Sequence, residues 1–241
     1  MSAPSLEKPE RHDTLEGNGN AKGPSAVGSG LERTRSLDYT HGVEPSARTS
    51  PGRRFRDGKP KYPMSALPVN NAVLLVDEHD QPLRTMEKIP AHEQGLLHRA
   101  FSAYVFQTRG GVPHLLLQKR ALTKYHFGGL WTNTCCGHPL EGETPAEAGM
   151  RRLPQEMNFN TSLRAVGTFI YRAQSENGLI EHELDHVLIG DFQDPLPPPN
   201  PEEADDARWI TLEELDRELA AHPEQFTPWF TLGLAIARRF V

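Results

Sequence analysis

The sequence predicts an α+β fold in which a mixed β-sheet is flanked by helices, a single domain behind an N-terminal tail. Three observations lead there. Strand-like runs are interleaved with a few helical ones but do not alternate strictly with them, which is the pattern of a mixed sheet. The composition changes after about residue 62, from Gly, Pro, Ser and scattered charge to recurrent aliphatic runs. A hydrophobic content of 37% in 241 residues suffices for one ordinary globular domain with appendages.

The tail comes first. Residues 1–63 show almost no aliphatic periodicity and nothing that would repay the entropy of ordering, so they are expected to be disordered, with the folded domain over 64–241. Met64 lies immediately ahead of the first strand-like run, so an artefactual extension upstream of a true start at Met64 is an equal reading. A targeting peptide is the third, disfavoured by the mixture of Asp and Glu with Arg.

From Asn71 the run NAVLLVDEHDQPLRTMEKI reads as a strand, a turn at Glu78 to Gln81 and a second extended segment. His92 and His98 then stand on either side of a short connection leading into a strand from Ala100 to Phe106. A turn at Arg109 to Gly111 precedes the strand His114 to Arg120. Trp131 to Thr134 is short and extended, and Gly137, Pro139 and Gly142 punctuate a loop. Thr144 to Met157 has helix-forming composition, with Pro145 near the start, where its missing N–H costs nothing. That helix presents Glu147, Arg151 and Glu156 towards related faces, and its N-terminus aims free N–H groups at the loop, a geometry suited to an anion or metal–phosphate. Strands follow at Ala165 to Ala173 and His182 to Gly190, with a turn at Ser175 to Gly178. Pro195 to Pro201 is a loop, Ala207 to Ile210 a strand, and Leu212 to Ala221 and Pro228 to Phe240 are helices.

Composition also excludes partners. No apolar run approaches membrane-spanning length, and the N-terminus lacks an apolar signal core. The two cysteines, Cys135 and Cys136, are adjacent and form no disulfide framework, so a reducing cytoplasm is the expected setting. A net charge of -6 argues against nucleic acid, and an anionic substrate would need local basic groups. No protein partner is legible.

Chemistry concentrates in two stretches. In IEHELDH, Ile180 to His186, strand alternation puts Glu181, Glu183 and Asp185 on one face and His182 and Leu184 on the other. Carboxylates turned towards a core need a reason, and a divalent ion such as zinc, manganese or magnesium is the commonest one. The other stretch is WTNTCCGHPLEGETPAEAGMRRLPQEMNF, Trp131 to Phe159, with two cysteines, a histidine, several acids and an arginine pair.

Counted from Gly137, the spacing of Glu143, Arg151, Glu156 and Phe159 resembles the Nudix signature, and the fold it implies is Nudix-like. The match is degraded where a Nudix hydrolase carries R-E-U-x-E-E-x-G. This chain has Arg151, Arg152, Leu153, Pro154, Gln155, Glu156, Met157 and Asn158, keeping only the last glutamate. The stretch resembles instead the type I isopentenyl-diphosphate delta-isomerases, whose hallmark is T-N-x-x-C-x-H-P. Thr132, Asn133, Cys136, His138 and Pro139 match it, and the likeness extends over about Val73 to Arg239.

The resemblance implies an enzyme that interconverts isopentenyl and dimethylallyl diphosphate, by adding a proton at one end of an alkene and removing another from the neighbouring methylene. Two acid–base groups on opposite sides of the allyl unit are needed. The family assigns them to Cys136 and Glu183, with Tyr171 assisting. The cationic intermediate calls for an aromatic face that offers no nucleophile, and Trp229 matches the family tryptophan; such a contact in a desolvated site is worth ~2 kcal/mol. His92, His98, His138, Glu181 and Glu183 fall where the family keeps the ligands of a manganese or zinc ion. Glu156 matches the holder of a magnesium ion that bridges to the diphosphate. Lys88, Arg120, Lys124 and Arg152 match the basic positions that clamp phosphate oxygens.

Taken one at a time these residues have blander readings: a core cysteine, surface histidines, a solvated basic face, a core tryptophan. Their joint occurrence in the family order favours the isomerase over a Nudix pyrophosphohydrolase or a catalytically weak diphosphate-binding protein. Two departures stand out. Pro154 inside the helix is expected to remove a backbone hydrogen bond and kink the chain at a cost of about 3 kcal/mol, displacing Glu156. Asn158 replaces the glycine usual after this helix, which Asn tolerates because it enters the left-handed region readily.

Overall fold

The computed structural model describes residues 71–241. The expected tail, and with it the alternatives of an artefactual extension and a start at Met64, lies outside the described residues. The first strand, β1 (Ala72–Val76), turns back on β2 (Pro82–Glu87) through the predicted turn. Where a second extended segment was expected to continue, the chain forms a helix, α1 (Lys88–Gln94). Pro90 falls in its first turn, where a missing N–H costs nothing, and Gly95 closes it in the left-handed conformation (φ 62°).

The centre of the sheet is β3 (His98–Arg109), longer than predicted because pairing with its neighbours holds polar residues at both ends in the ladder: His98 opposite Glu183, and Gln107 to Arg109 opposite Val112 to His114. It is followed by β4 (Val112–Arg120), β5 (Trp131–Thr132), β6 (Cys135–Gly137), β7 (Arg164–Gln174), β8 (Ile180–Asp191) and β9 (Ala204–Thr211). Three further helices are α2 (Pro145–Met157), α3 (Leu212–Ala221) and α4 (Phe230–Ala237); a short 3₁₀ turn, Arg238–Phe240, completes the predicted C-terminal helix. Among the described residues β3 pairs with β8 in parallel and every other ladder is antiparallel, so the sheet is mixed as predicted.

Alternation gives the sheet two buried faces. Tyr104, Phe106, Leu115, Leu117, Val187 and Ile189 pack with Leu215 of α3 and with Phe230 and Leu234 of α4. On the opposite face Phe101, Ala103, Val105, Leu116 and Leu188 pack with Ala148, Leu153 and Met157 of α2. Gly149 permits the close approach of α2: a Cβ there would stand 2.7 Å from Leu188 and 2.8 Å from Leu163.

The start of α2 is fixed by a capping box, in which Glu147 N–H donates to Thr144 Oγ1 and the Glu147 carboxylate accepts from Thr144 N–H. Glu147 is therefore consumed by the cap. The helix runs unbroken through Pro154, which sits in its last turn, and Asn158 terminates it at φ 57°. The expected displacement of Glu156 does not occur. A proline this close to the C-terminus forfeits one hydrogen bond, and the apolar contacts of Leu153 and Met157 hold the turn in place.

Candidate active site

Strand register assembles the site. Across three adjacent strands, His98 of β3 faces Glu183 of β8, and Glu183 faces Tyr171 of β7. On the other flank of β3, Cys136 of β6 is the register partner of Ser102. The face that carries Val187 and Ile189 in the core thus continues along β8 into a buried acidic row, Asp185, Glu183 and Glu181. Asp185 accepts a 2.7 Å hydrogen bond from Ser102, and burial pushes its carboxyl well above the usual range. Beyond it opens a cavity of about 680 Å³ whose wall includes Cys136, Glu181, Glu183, Tyr171 and Trp229.

His92, His98, His138, Glu181 and Glu183 converge at the back of this cavity, each contributing one atom to a cluster whose members all lie within 4.8 Å of one another. The two innermost histidines have defined tautomers. Nδ1 of His92 is 2.6 Å from the carbonyl of Lys88, and Nδ1 of His98 is 2.8 Å from that of Leu96. A carbonyl only accepts, so each Nδ1 carries a proton and, on a neutral ring, Nε2 presents a bare lone pair. Those lone pairs face carboxylate oxygens, Glu181 Oε2 at 2.9 Å and Glu183 Oε1 at 3.5 Å. His92 Nε2, His98 Nε2 and Glu181 Oε2 are buried without a hydrogen-bond partner. Acceptors facing acceptors repel unless further ring protons or a cation lies between them, and one divalent ion satisfies the whole set. Burial lowers His138 to about 3, keeping it neutral. Burial, and at Glu183 the neighbouring Glu181 charge, work to raise the two carboxyls. Two other rings outweigh them: His126 beside Glu181 holds that carboxyl well below the carboxylate range, and His138 beside Glu183 holds it at about 2.

The cavity wall carries complementary acid–base groups. The Tyr171 hydroxyl donates to Glu183 Oε2 at 2.6 Å, and His138 Nε2 stands 2.9 Å from Glu183 Oε1. Opposite, burial pushes the Cys136 thiol up to about 12, although Arg120, 3.8 Å from the sulfur, opposes this. The indole of Trp229 is fixed by donating to Asn133 Oδ1 at 3.1 Å, with its ring edged by Phe127 and the Arg120 guanidinium 5.7 Å from its centre. A protonated thiol, an ionised carboxylate and an aromatic face therefore share one cavity.

Four cations, Lys88, Arg120, Lys124 and Arg152, also line the cavity. Lys88 lies 5.3 Å above the Tyr125 ring, and Arg120 is braced by the carbonyls of His126 and Phe127, both at 3.2 Å. Lys124 pairs with Glu203 Oε2, while Arg152 contacts Glu203 Oε1 at 3.2 Å and Glu156 Oε1 at 2.6 Å. Gln118 donates to the other oxygen of Glu156 at 3.1 Å. At the helix start, Arg151 holds Glu143 through two hydrogen bonds of 2.6 and 2.8 Å.

A NUDIX domain family model matches residues 96–230. Isopentenyl-diphosphate Delta-isomerase of Pectobacterium atrosepticum is 48% identical over 163 residues, which span 68% of this chain and 89% of the relative. The chain belongs to the isopentenyl-diphosphate Delta-isomerases of the Nudix superfamily. The isomerase of Burkholderia multivorans is 49% identical over 158 residues, 66% of this chain and 88% of its own. Among solved structures, DR0079 from Deinococcus radiodurans superposes with a TM-score of 0.55 at 22% identity, over 70% of this chain and 99% of its own, which supports the Nudix fold.

Every residue to which the likeness to the isomerase family gave a catalytic, metal-binding or diphosphate-binding role lies in or directly behind this one cavity: His92 and His98 are fully buried behind it, and the others line it, whereas Thr132, Asn133 and Pro139 of the hallmark motif do not. Glu203 and His126, also in the wall, were missed by sequence reasoning. Glu203 is brought in by the loop before β9, and nothing in its neighbourhood marks it. His126 sits two residues after Lys124, a histidine adjoining a basic pair already under suspicion. Among the described residues no helix is long and apolar enough to cross a membrane.

Proposed function

We propose that this chain interconverts isopentenyl and dimethylallyl diphosphate by protonation and deprotonation on opposite sides of the allyl unit. The observation that carries this reading is the pairing of a protonated Cys136 with an ionised, Tyr171-bound Glu183 across one cavity. The thiol proton adds to the terminal alkene carbon, leaving a tertiary carbocation. Removal of a proton from the neighbouring methylene by the Glu183 carboxylate closes the new double bond. The Trp229 face stabilises the cation and offers no nucleophile to trap it. Both groups are then reset by proton exchange with solvent.

The five-residue cluster is suited to manganese or zinc, and a divalent ion bound there supplies charge that neutralises two buried carboxylates. Glu156 is the expected holder of a magnesium ion accompanying the diphosphate. Lys88, Arg120, Lys124 and Arg152 bind phosphate oxygens and orient the chain of the substrate towards Trp229. The loss of all but one glutamate from the α2 motif argues against pyrophosphate hydrolysis.

The test is incubation with isopentenyl diphosphate and magnesium in heavy water, followed by NMR. Dimethylallyl diphosphate with deuterium in its new methyl group is the expected product. Unchanged substrate would overturn the proposal, and released phosphate would favour the hydrolase.

A further inference from the structure

The connection between β4 and β5 carries three consecutive aromatic residues that touch three different parts of the site. Tyr125 lies beneath Lys88, the Phe127 ring meets Trp229 edge-on at 5.4 Å, and His126 points at the Glu/His cluster. The loop is held from both sides: Arg120 donates to the carbonyls of His126 and Phe127, and Asn177 donates to that of Tyr125. Phe127 adopts the left-handed region at φ 49°, which turns the chain so that consecutive side chains diverge. The His126 side chain is 8% exposed, and its Nε2 stands 2.5 Å from Glu181 Oε1.

The two oxygens of Glu181 therefore have different neighbours. Oε2 faces His92 within the cluster, and Oε1 faces His126. A contact as short as that of Oε1 is attractive only with a proton on Nε2 of His126. This is the opposite tautomer from His92 and His98, whose Nδ1 atoms are committed to carbonyls. His126 is also absent from the group of converging ligand atoms. We propose that His126 is a positioning residue for the metal site, donating from Nε2 to Glu181 Oε1 and so confining that carboxylate to coordination through Oε2 alone. Because its backbone rests on Arg120, the same loop ties the geometry of Glu181 to a residue that faces the diphosphate.

The inference rests on reading the cluster as a metal site, and its test is metal binding without substrate or turnover. The full chain, stripped with a chelator, and its H126A, H126Q and H126N variants are titrated with Mn²⁺ against a fluorescent competitor. The glutamine amide reaches the place of Nε2, whereas that of asparagine falls short. The expected result is wild-type affinity within a few-fold for H126Q, and an affinity ~10- to 100-fold weaker for H126A and H126N, the range for removing a partner that orients a ligand. H126N binding as tightly as wild type would overturn the proposal. H126Q binding as weakly as H126N would also do so, because the ring nitrogen would then be a ligand itself. If H126A does not fold, the comparison of H126Q with H126N stands alone. A folded wild-type chain that binds no Mn²⁺ brings down the metal reading and this proposal together, whereas binding that is abolished in H92A but untouched in H126N brings down this proposal only.

Discussion

Tyr171 and Glu183 are register partners on neighbouring antiparallel strands, and the tyrosine hydroxyl donates a 2.6 Å hydrogen bond to the carboxylate that faces the cavity. The carboxylate is thereby oriented from one side by β7 and from the other by His138. Replacing Tyr171 by Phe removes the donor and leaves the ring packing, so kcat is expected to fall ~10- to 100-fold with little change in KM, the loss of one buried hydrogen bond to a charged group costing about 1.5–3 kcal/mol. Steady-state kinetics of Y171F check this; a KM effect alone would place Tyr171 in substrate binding instead.

Cys136→Ala and Glu183→Gln each remove one partner of the proton relay. Each is expected to lower kcat by at least ~10²-fold, the usual contribution of a positioned acid or base. Circular dichroism should be unchanged. Because burial raises the thiol to about 12, iodoacetamide should label Cys136 slowly in chelator-treated protein near neutral pH and faster only as the pH climbs towards that value. Rapid labelling at pH 7 would show that the thiol ionises there and is not the stored proton.

Exhaustive chelation should abolish activity, and Mn²⁺ or Zn²⁺ should restore it together with thermal stability, since an ion that binds only the folded cluster adds to its stability. The shift in melting temperature on metal addition, absent in H92A, is the measurement. Full activity in protein shown to be metal-free would exclude the cluster from the reaction.

Glu203 neutralises Lys124 and Arg152 at once. A diphosphate arriving at these cations must displace or share them. Glu203→Gln is therefore expected to lower KM several-fold and to slow product release. A rise in KM would mean that Glu203 holds the cations in place for the substrate.

The Glu143 carboxyl lies below its usual range because Arg151 donates to it, a pull that its partial burial does not cancel. A carboxyl whose folded pKa is depressed contributes stability above its unfolded value, and that contribution disappears as pH falls through the folded value. Wild type should therefore melt above E143Q at neutral pH, with the gap closing under acid conditions. Thermal melts over that range check the sign.

Much of this site was legible before the fold. The alternation of Glu181, Glu183 and Asp185 marked a carboxylate face towards the core, and T-N-x-x-C-x-H-P located Cys136 and His138. What could not be read was anything set by contact between distant segments. The helix α1 was read as extended chain and a short connection between His92 and His98, because its seven residues are too few to show a helical period. The kink expected at Pro154 ignored its place in the last turn, where α2 packs against the sheet. Glu203 and His126 acquire meaning only when their loops are laid over Lys124 and Glu181.

The parallel pairing of β3 with β8 has a consequence in time. His98 meets Glu183 only after the chain has run through four more strands and a helix, so the ligand cluster is among the most non-local features of the fold. During synthesis, His92, His98, Cys136 and His138 all emerge before either carboxylate exists to complete the cluster. A slip of one residue in that ladder would turn Glu181 and Glu183 to the opposite face. A nascent or misregistered chain thus lacks the complete cluster, and, on the proposed metal reading, metal retention becomes a readout of correct strand pairing.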